Sequence, residues 1–152
     1  MNDVNTIGEI GEKIFNLKIT KSYKFLPVQL GEKYPNVDFF VELIGHSHPY
    51  YFLVQVKATK LGLNKNKKLK ISIPKSKINS LAIYSCPTYL IGVDTNTDFA
   101  YIYPVNKIPR KGLSSFPTNK LLDMKTLDNL YNDVIIFWDN IKIQKSKHKH
   151  RL

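Results

Sequence analysis

The chain has 152 residues, 43% of them hydrophobic, which suits one domain with an apolar core and excludes an intrinsically disordered polymer. No apolar run approaches the roughly 18 residues needed to cross a bilayer, and the opening MNDVNTIGE carries acids and no apolar stretch, so no signal peptide is expected. The lone Cys86 has no internal disulfide partner and suits a reducing compartment, so cytoplasmic residence is expected, while a net charge of +11 points to an anionic partner or a solvated basic surface.

In chain order, Thr6-Ile7-Gly8-Glu9 matches a helix-capping box. Ile7, Ile10, Ile14, Phe15 and Leu17 then predict a helix through about Leu17, with Glu12 away from that apolar stripe. Ser22–Val28 reads as a short strand that Pro27 places at an edge or an end. Val37–Leu43 alternates, with Phe39, Val41 and Leu43 on one side and Asp38, Phe40 and Glu42 on the other. Gly45-His46-Ser47-His48-Pro49 is turn chemistry, and Tyr50–Ala58 is a near-continuous apolar strand interrupted by Gln55 and Lys57. Such a strand is expected at the centre of a sheet, covered on both faces.

Lys60–Lys70 is a basic loop, Ile71-Ser72-Ile73 a possible strand extension, and Pro74 a fitting first-turn residue for a helix carrying Ile78, Leu81 and Ala82. Thr88–Asp94 and Asp98–Val105 predict a hairpin, and Asn106–Thr118 a loop. Asp123 caps a last helix whose stripe is Leu127, Leu130, Tyr131, Val134, Ile135 and Trp138. The expected organisation is one domain over residues 1–141 and a basic, mobile tail over 142–152. The expected class is mixed α/β, a mixed sheet flanked by helices.

Charge is unevenly spread: residues 61–122 hold ten Lys/Arg against two Asp/Glu, whereas residues 1–60 hold seven against six. A basic segment following a strand that carries Gln55 and Lys57 fits an anionic polymer ligand. Phosphodiester hydrolysis needs a hard cation, a water and a positive group near the phosphate. Asp38 supplies a carboxylate, Gln55 an amide oxygen and Lys57 a cation, and strands about 5 Å apart bring the three together. Lys60, Lys65, Lys67, Lys68 and Lys70 are the candidate phosphate contacts.

Gly11-Glu12 in the first helix, Val37-Asp38 opening a strand, Val54-Gln55-Val56-Lys57, and Pro87–Asp94 followed by Tyr101-Ile102-Tyr103 resemble the PD-(D/E)xK nuclease superfamily. The variant is the one with glutamine at the second acid, and within it the bacterial DUF4365 family, over about residues 5–110. The resemblance implies a restriction-endonuclease-like αβββαβ core with Mg²⁺ as cofactor and Mn²⁺ able to substitute. Asp38, Gln55, the Val56 carbonyl and Glu12 would hold the metal. Lys57 would orient the attacking water or stabilise developing charge. DNA is expected as partner rather than RNA, with a homodimer and a defence role by analogy.

Plainer readings stand beside these. Asp38 is also an ordinary strand-start acid, Gln55 and Lys57 the polar face of an edge strand, and Glu12 a solvated acid. His46 and His48 read as a surface hairpin rather than a metal pair, and Cys86 as a packed thiol. The alternative functions are an inactive nucleic-acid-binding module of the same fold and a basic partner-binding domain.

Overall fold

The computed structural model describes the backbone of residues 3–145 and the side chains of residues 3–141. Helix α1 (Asp3–Thr20) leads into strands β1 (Phe25–Gln29), β2 (Phe39–Leu43) and β3 (Tyr51–Thr59). A short β4 (Ile73–Pro74) and helix α2 (Lys75–Ala82) precede the hairpin of β5 (Thr88–Asp94) and β6 (Phe99–Pro104). A 3₁₀ turn, β7 (Gly112–Leu113) and the long helix α3 (Met124–Lys145) complete the chain. Among the described residues no helix is long and apolar enough to cross a membrane.

Five strands form one mixed sheet in the order β1-β2-β3-β5-β6. Only β3 and β5 run parallel, which requires the crossover that α2 provides. Central β3 is covered on both faces, as its apolar run demands. Phe52, Val54 and Val56 face α1 and α3, joining Phe15, Ile19, Phe39, Leu127, Leu130 and Val134 in one core. Leu53 faces the other way, into a second core built by Leu69, Ile71, Ile73, Ile78, Leu81, Leu90 and Phe116. Gln55 and Lys57 share the face of Leu53 by alternation. Pro27 sits in β1, an edge strand of the sheet, where its missing N–H costs no inner ladder bond.

The mixed α/β class holds, and the class-level expectation of a mixed sheet flanked by helices is met. Four local expectations are corrected. Helix α1 begins at Asp3, so Thr6 lies inside it rather than at its cap. Its buried face is Gly11, Phe15 and Ile19, while Ile10 and Leu17 are exposed. The sheet takes the narrow side on which a glycine lets the helix come close. A Cβ on Gly11 would lie 2.6 Å from the Cβ of Ala58 in β3. Second, the 106–118 stretch is not an unstructured loop: Gly112–Leu113 pairs with Ile73–Pro74, and Phe116 is fully buried. Third, Pro74 ends β4 with extended backbone as the N-cap of α2, one position earlier than a first-turn proline.

Fourth, the boundary at residue 141 falls within α3, which continues to Lys145, so the start of the tail is helical. Residues 146–152, including His148 and His150, lie outside the described residues. Asp123 does cap this helix, its Oδ1 accepting from the Thr126 N–H at 2.8 Å. Leu127, Leu130 and Val134 are buried against the sheet, with Tyr131, Ile135 and Trp138 packed at their margin. The Trp138 indole N–H donates to the Tyr51 carbonyl at 2.8 Å, tying α3 to the start of β3. The 45–49 turn is anchored as well. Tyr131 Oη donates to the Ile44 carbonyl at 2.6 Å and lies 2.8 Å from His46 Nε2, so His46 serves the hairpin.

Candidate functional site

The site forms where β2 parts from β3. Registered pairing of the two strands ends at Phe39–Val54. One further ladder bond follows, Asp38 N–H to the Val54 carbonyl at 2.8 Å. The chain before Asp38 then turns away through Asn36, whose φ of 74° lies in the left-handed region that asparagine tolerates. The next inward N–H of β3, that of Val56, has lost its strand partner. Asp38 Oδ2 accepts it at 2.7 Å. An acid is therefore well placed here on structural grounds alone, since a buried N–H must be paired.

The other predicted residues lie along β3 beside this parting. Phe39 pairs with Val54 and the Asp38 N–H bonds the same Val54 carbonyl, so the register slips by one residue there and Asp38 does not lie across from Gln55, which shares the face of Leu53 and Lys57. Gln55 is 4% exposed, and its Oε1 has no hydrogen-bond partner among the described residues. An orphaned amide oxygen in a core is costly, by about 1–3 kcal/mol, unless a ligand completes it. Lys57 is half-buried two residues on. Burial, and secondarily the charge of Lys77, hold its ammonium below the usual lysine range, while Asp38 acts in the opposite sense. The Val56 carbonyl belongs to the same freed edge of β3.

Glu12 arrives from α1. The expectation that it points away from the apolar stripe is corrected, because the stripe itself lies elsewhere. Phe15 and Ile19 are at i+3 and i+7 from Glu12 and so share its side of the helix. Its Oε2 accepts from Gln29 Nε2 at 3.0 Å, at the end of β1. Burial raises its pKa above 4.5, and the charge and hydrogen bonding of Asp38 raise it further, against the opposing Gln29 bond. The two carboxylates are thus close enough to repel one another. Because the folded state holds the Glu12 proton more tightly than the unfolded chain does, the ionised pair costs stability. That cost is absent below pH 4.5 and complete above the raised folded value. Glu12→Gln should therefore melt above the wild type in EDTA at pH 7, an advantage that vanishes below pH 4.5. Thermal melts across pH check this; a variant less stable than the wild type at pH 7 would refute the crowding.

Three residues that sequence reasoning did not nominate belong to the site. Lys77 of α2 reaches over the sheet so that its Nζ donates to Asn36 Oδ1. It also brings a second cation near Lys57. Gln29 holds Glu12, and Asn36 shapes the turn. One signal existed for Lys77: it precedes Leu81 by four residues and so lies along the buried row of α2.

The basic loop is less uniform than its composition implied. Lys60 Nζ pairs with Asp3 at 3.1 Å. Lys65, Lys67, Lys68 and Lys70 are exposed on a turn organised by Asn64, whose Oδ1 accepts from the Asn66 and Lys68 N–H groups at 2.9 and 3.1 Å. Leu69, fully buried against Phe116, anchors that turn. Cys86 is half-buried and burial raises its pKa, in keeping with a packed thiol.

The oxygen donors fit a hard cation: the carboxylates of Glu12 and Asp38, the orphaned Oε1 of Gln55, and a backbone carbonyl at Val56. Among the described residues, no three His, Cys, Asp or Glu side chains gather as a metal site, so the set depends on the amide and the backbone. Comparison of the chain with family models, with curated proteins and with solved structures returns no match.

Proposed function

We propose that the chain is a metal-dependent nuclease that hydrolyses phosphodiester bonds of nucleic acid, DNA in preference to RNA. The observation that carries the reading is the meeting, at the parting of β2 and β3, of two crowded carboxylates and a half-buried cation, with an unpartnered buried amide oxygen two residues along β3 from that cation. Structural roles account for Asp38 alone; they leave Gln55 Oε1 without a partner and two carboxylates set against each other. The resemblance to the PD-(D/E)xK superfamily and DUF4365 is the second support, and homodimer formation and a defence role follow from it only by analogy.

Glu12, Asp38, Gln55 and the Val56 carbonyl would hold Mg²⁺, or Mn²⁺ in its place. The bound cation would supply Lewis acidity to the phosphate and lower the pKa of a water. Asp38, fixed by the Val56 N–H, presents its carboxylate in one orientation. Lys57 lies two residues from Gln55 on the same face, placed to orient the attacking water or to meet negative charge developing on phosphorus oxygens. Its depressed pKa makes it responsive to an anion, because a phosphate nearby restores the charged form. Lys65, Lys67, Lys68 and Lys70 would track the flanking backbone.

The test is a panel of single-stranded, double-stranded and branched DNA and RNA incubated with Mg²⁺, Mn²⁺ or EDTA. Cleavage that requires the metal is the expected result, with binding that weakens as salt rises. Salt-sensitive binding without cleavage of any substrate would assign the chain to the inactive binding module instead. No retention of nucleic acid at low salt would leave the basic surface to an acidic protein partner.

A further inference from the structure

An open cavity of about 380 Å³ adjoins the candidate site, lined by Tyr34, Val37, Phe40, Leu53 and Tyr84 among others. Its volume lies within the roughly 300–1,000 Å³ typical of small-ligand pockets. The cavity lies close to the site along both strands: Val37 directly precedes Asp38, and Leu53 lies two residues before Gln55 on the same face of β3. Tyr34, at the 31–37 turn, and Tyr84, just beyond α2, are 58% and 37% exposed. These segments also carry the cationic side of the site, because Lys77 of α2 donates to Asn36 in that same turn.

We infer that this cavity receives one unstacked base of the strand whose phosphate lies at Lys57, so that the substrate is single-stranded or locally unpaired nucleic acid. The inference rests on the phosphodiester reading of the site. Aromatic and aliphatic walls offer a base its stacking surface, while Lys77, held at the same turn by Asn36, and Lys57 farther along β3 match the charge of the strand's phosphates. An apolar side chain of a protein partner would use the walls and leave that charge unanswered. A base within a duplex has both faces already stacked and does not reach such a pocket without extrusion. Because the lining is almost wholly apolar, little hydrogen-bond readout is available, and the pocket accepts any of the four bases.

The test is fluorescence anisotropy with a labelled oligodeoxynucleotide, single-stranded and as its duplex, in Ca²⁺ to suppress cleavage. Wild-type protein should prefer the single strand by about tenfold or more. Tyr34→Ala and Tyr84→Ala, both at exposed positions, should each weaken single-strand binding about tenfold and leave duplex binding unchanged. An abasic site walked along the strand should produce the same loss at one position only. Equal affinity for strand and duplex, tyrosine variants without effect, or abasic losses independent of position would overturn the inference while leaving the nuclease reading intact. Absence of salt-sensitive binding by either form would remove the nucleic-acid reading of the site, and the inference falls with it.

Discussion

Lys57→Met should lower metal-dependent cleavage by about 10²–10³-fold, the loss usual when one group stabilising transition-state charge is removed. Methionine keeps most of the aliphatic stem, so the half-buried position remains filled and the melting temperature should stay close to that of the wild type. The depressed pKa of Lys57 sharpens the expectation. An ammonium held below its usual range by burial and by Lys77 costs free energy in the folded protein, so removing it should not destabilise the apo form. By linkage, that cost is largest below the lowered folded pKa and disappears as the pH rises through the usual lysine value of 10.5. Activity lost with stability retained identifies a functional residue. Cleavage rates of the wild type and Lys57→Met under single-turnover conditions, with circular-dichroism melts alongside, decide it. Undiminished cleavage in Lys57→Met would remove this face of β3 from the chemistry.

Gln55 separates a working site from a retired one. As a neutral ligand it would leave two carboxylates to neutralise a divalent cation, fewer charges than an acid at the same place would give. Yet a glutamine without function would be expected to turn its oxygen to a neighbour or to be replaced by an apolar residue. Here Oε1 stays buried without one among the described residues. That orphaned oxygen favours occupation by a ligand over vestigial retention.

What the sequence made legible was the part governed by period and local chemistry. Thr88–Asp94 is predicted with the bounds observed, because its apolar run ends in turn residues on both sides. The interruption of β3 by Gln55 and Lys57 marks a face needing explanation, and Asp38, expected inside a strand over Val37–Leu43, lies one residue before β2, which begins at Phe39. Helix α1 departs from its hydrophobic pattern because close approach to the sheet, not hydrophobicity, sets its buried side. Ile10 and Leu17 are exposed, whereas Gly11, carrying no side chain to signal it, sets the contact with Ala58. The hydrophobic pattern alone therefore places Glu12 on the wrong side. Lys77 and Asn36 were illegible for a different reason: their meeting spans 41 residues and depends on where the α2 crossover lands. Long-range placement of that kind has no local signature.

Phe116 presents the second large effect, and it joins fold to site. The ring is fully buried in a stretch whose Pro, Ser and Gly content reads as loop. Its backbone exchanges two 3.0 Å hydrogen bonds with Leu69. The ring lies over Gly92, where a Cβ would come within 2.7 Å of it, and Gly92 is the register partner of Lys57 in β3. Phe116→Ala should therefore cost about 3–5 kcal/mol, a large share of a typical domain's roughly 5–15 kcal/mol, and open a void beside the Lys57 stem. Gly92→Ala alone should cost about 1–3 kcal/mol by overpacking against the ring. Combining the two should cost less than their sum, since the new methyl enters the space the ring has left. Urea denaturation of the four proteins measures the coupling. Strict additivity would show that ring and glycine do not share that space.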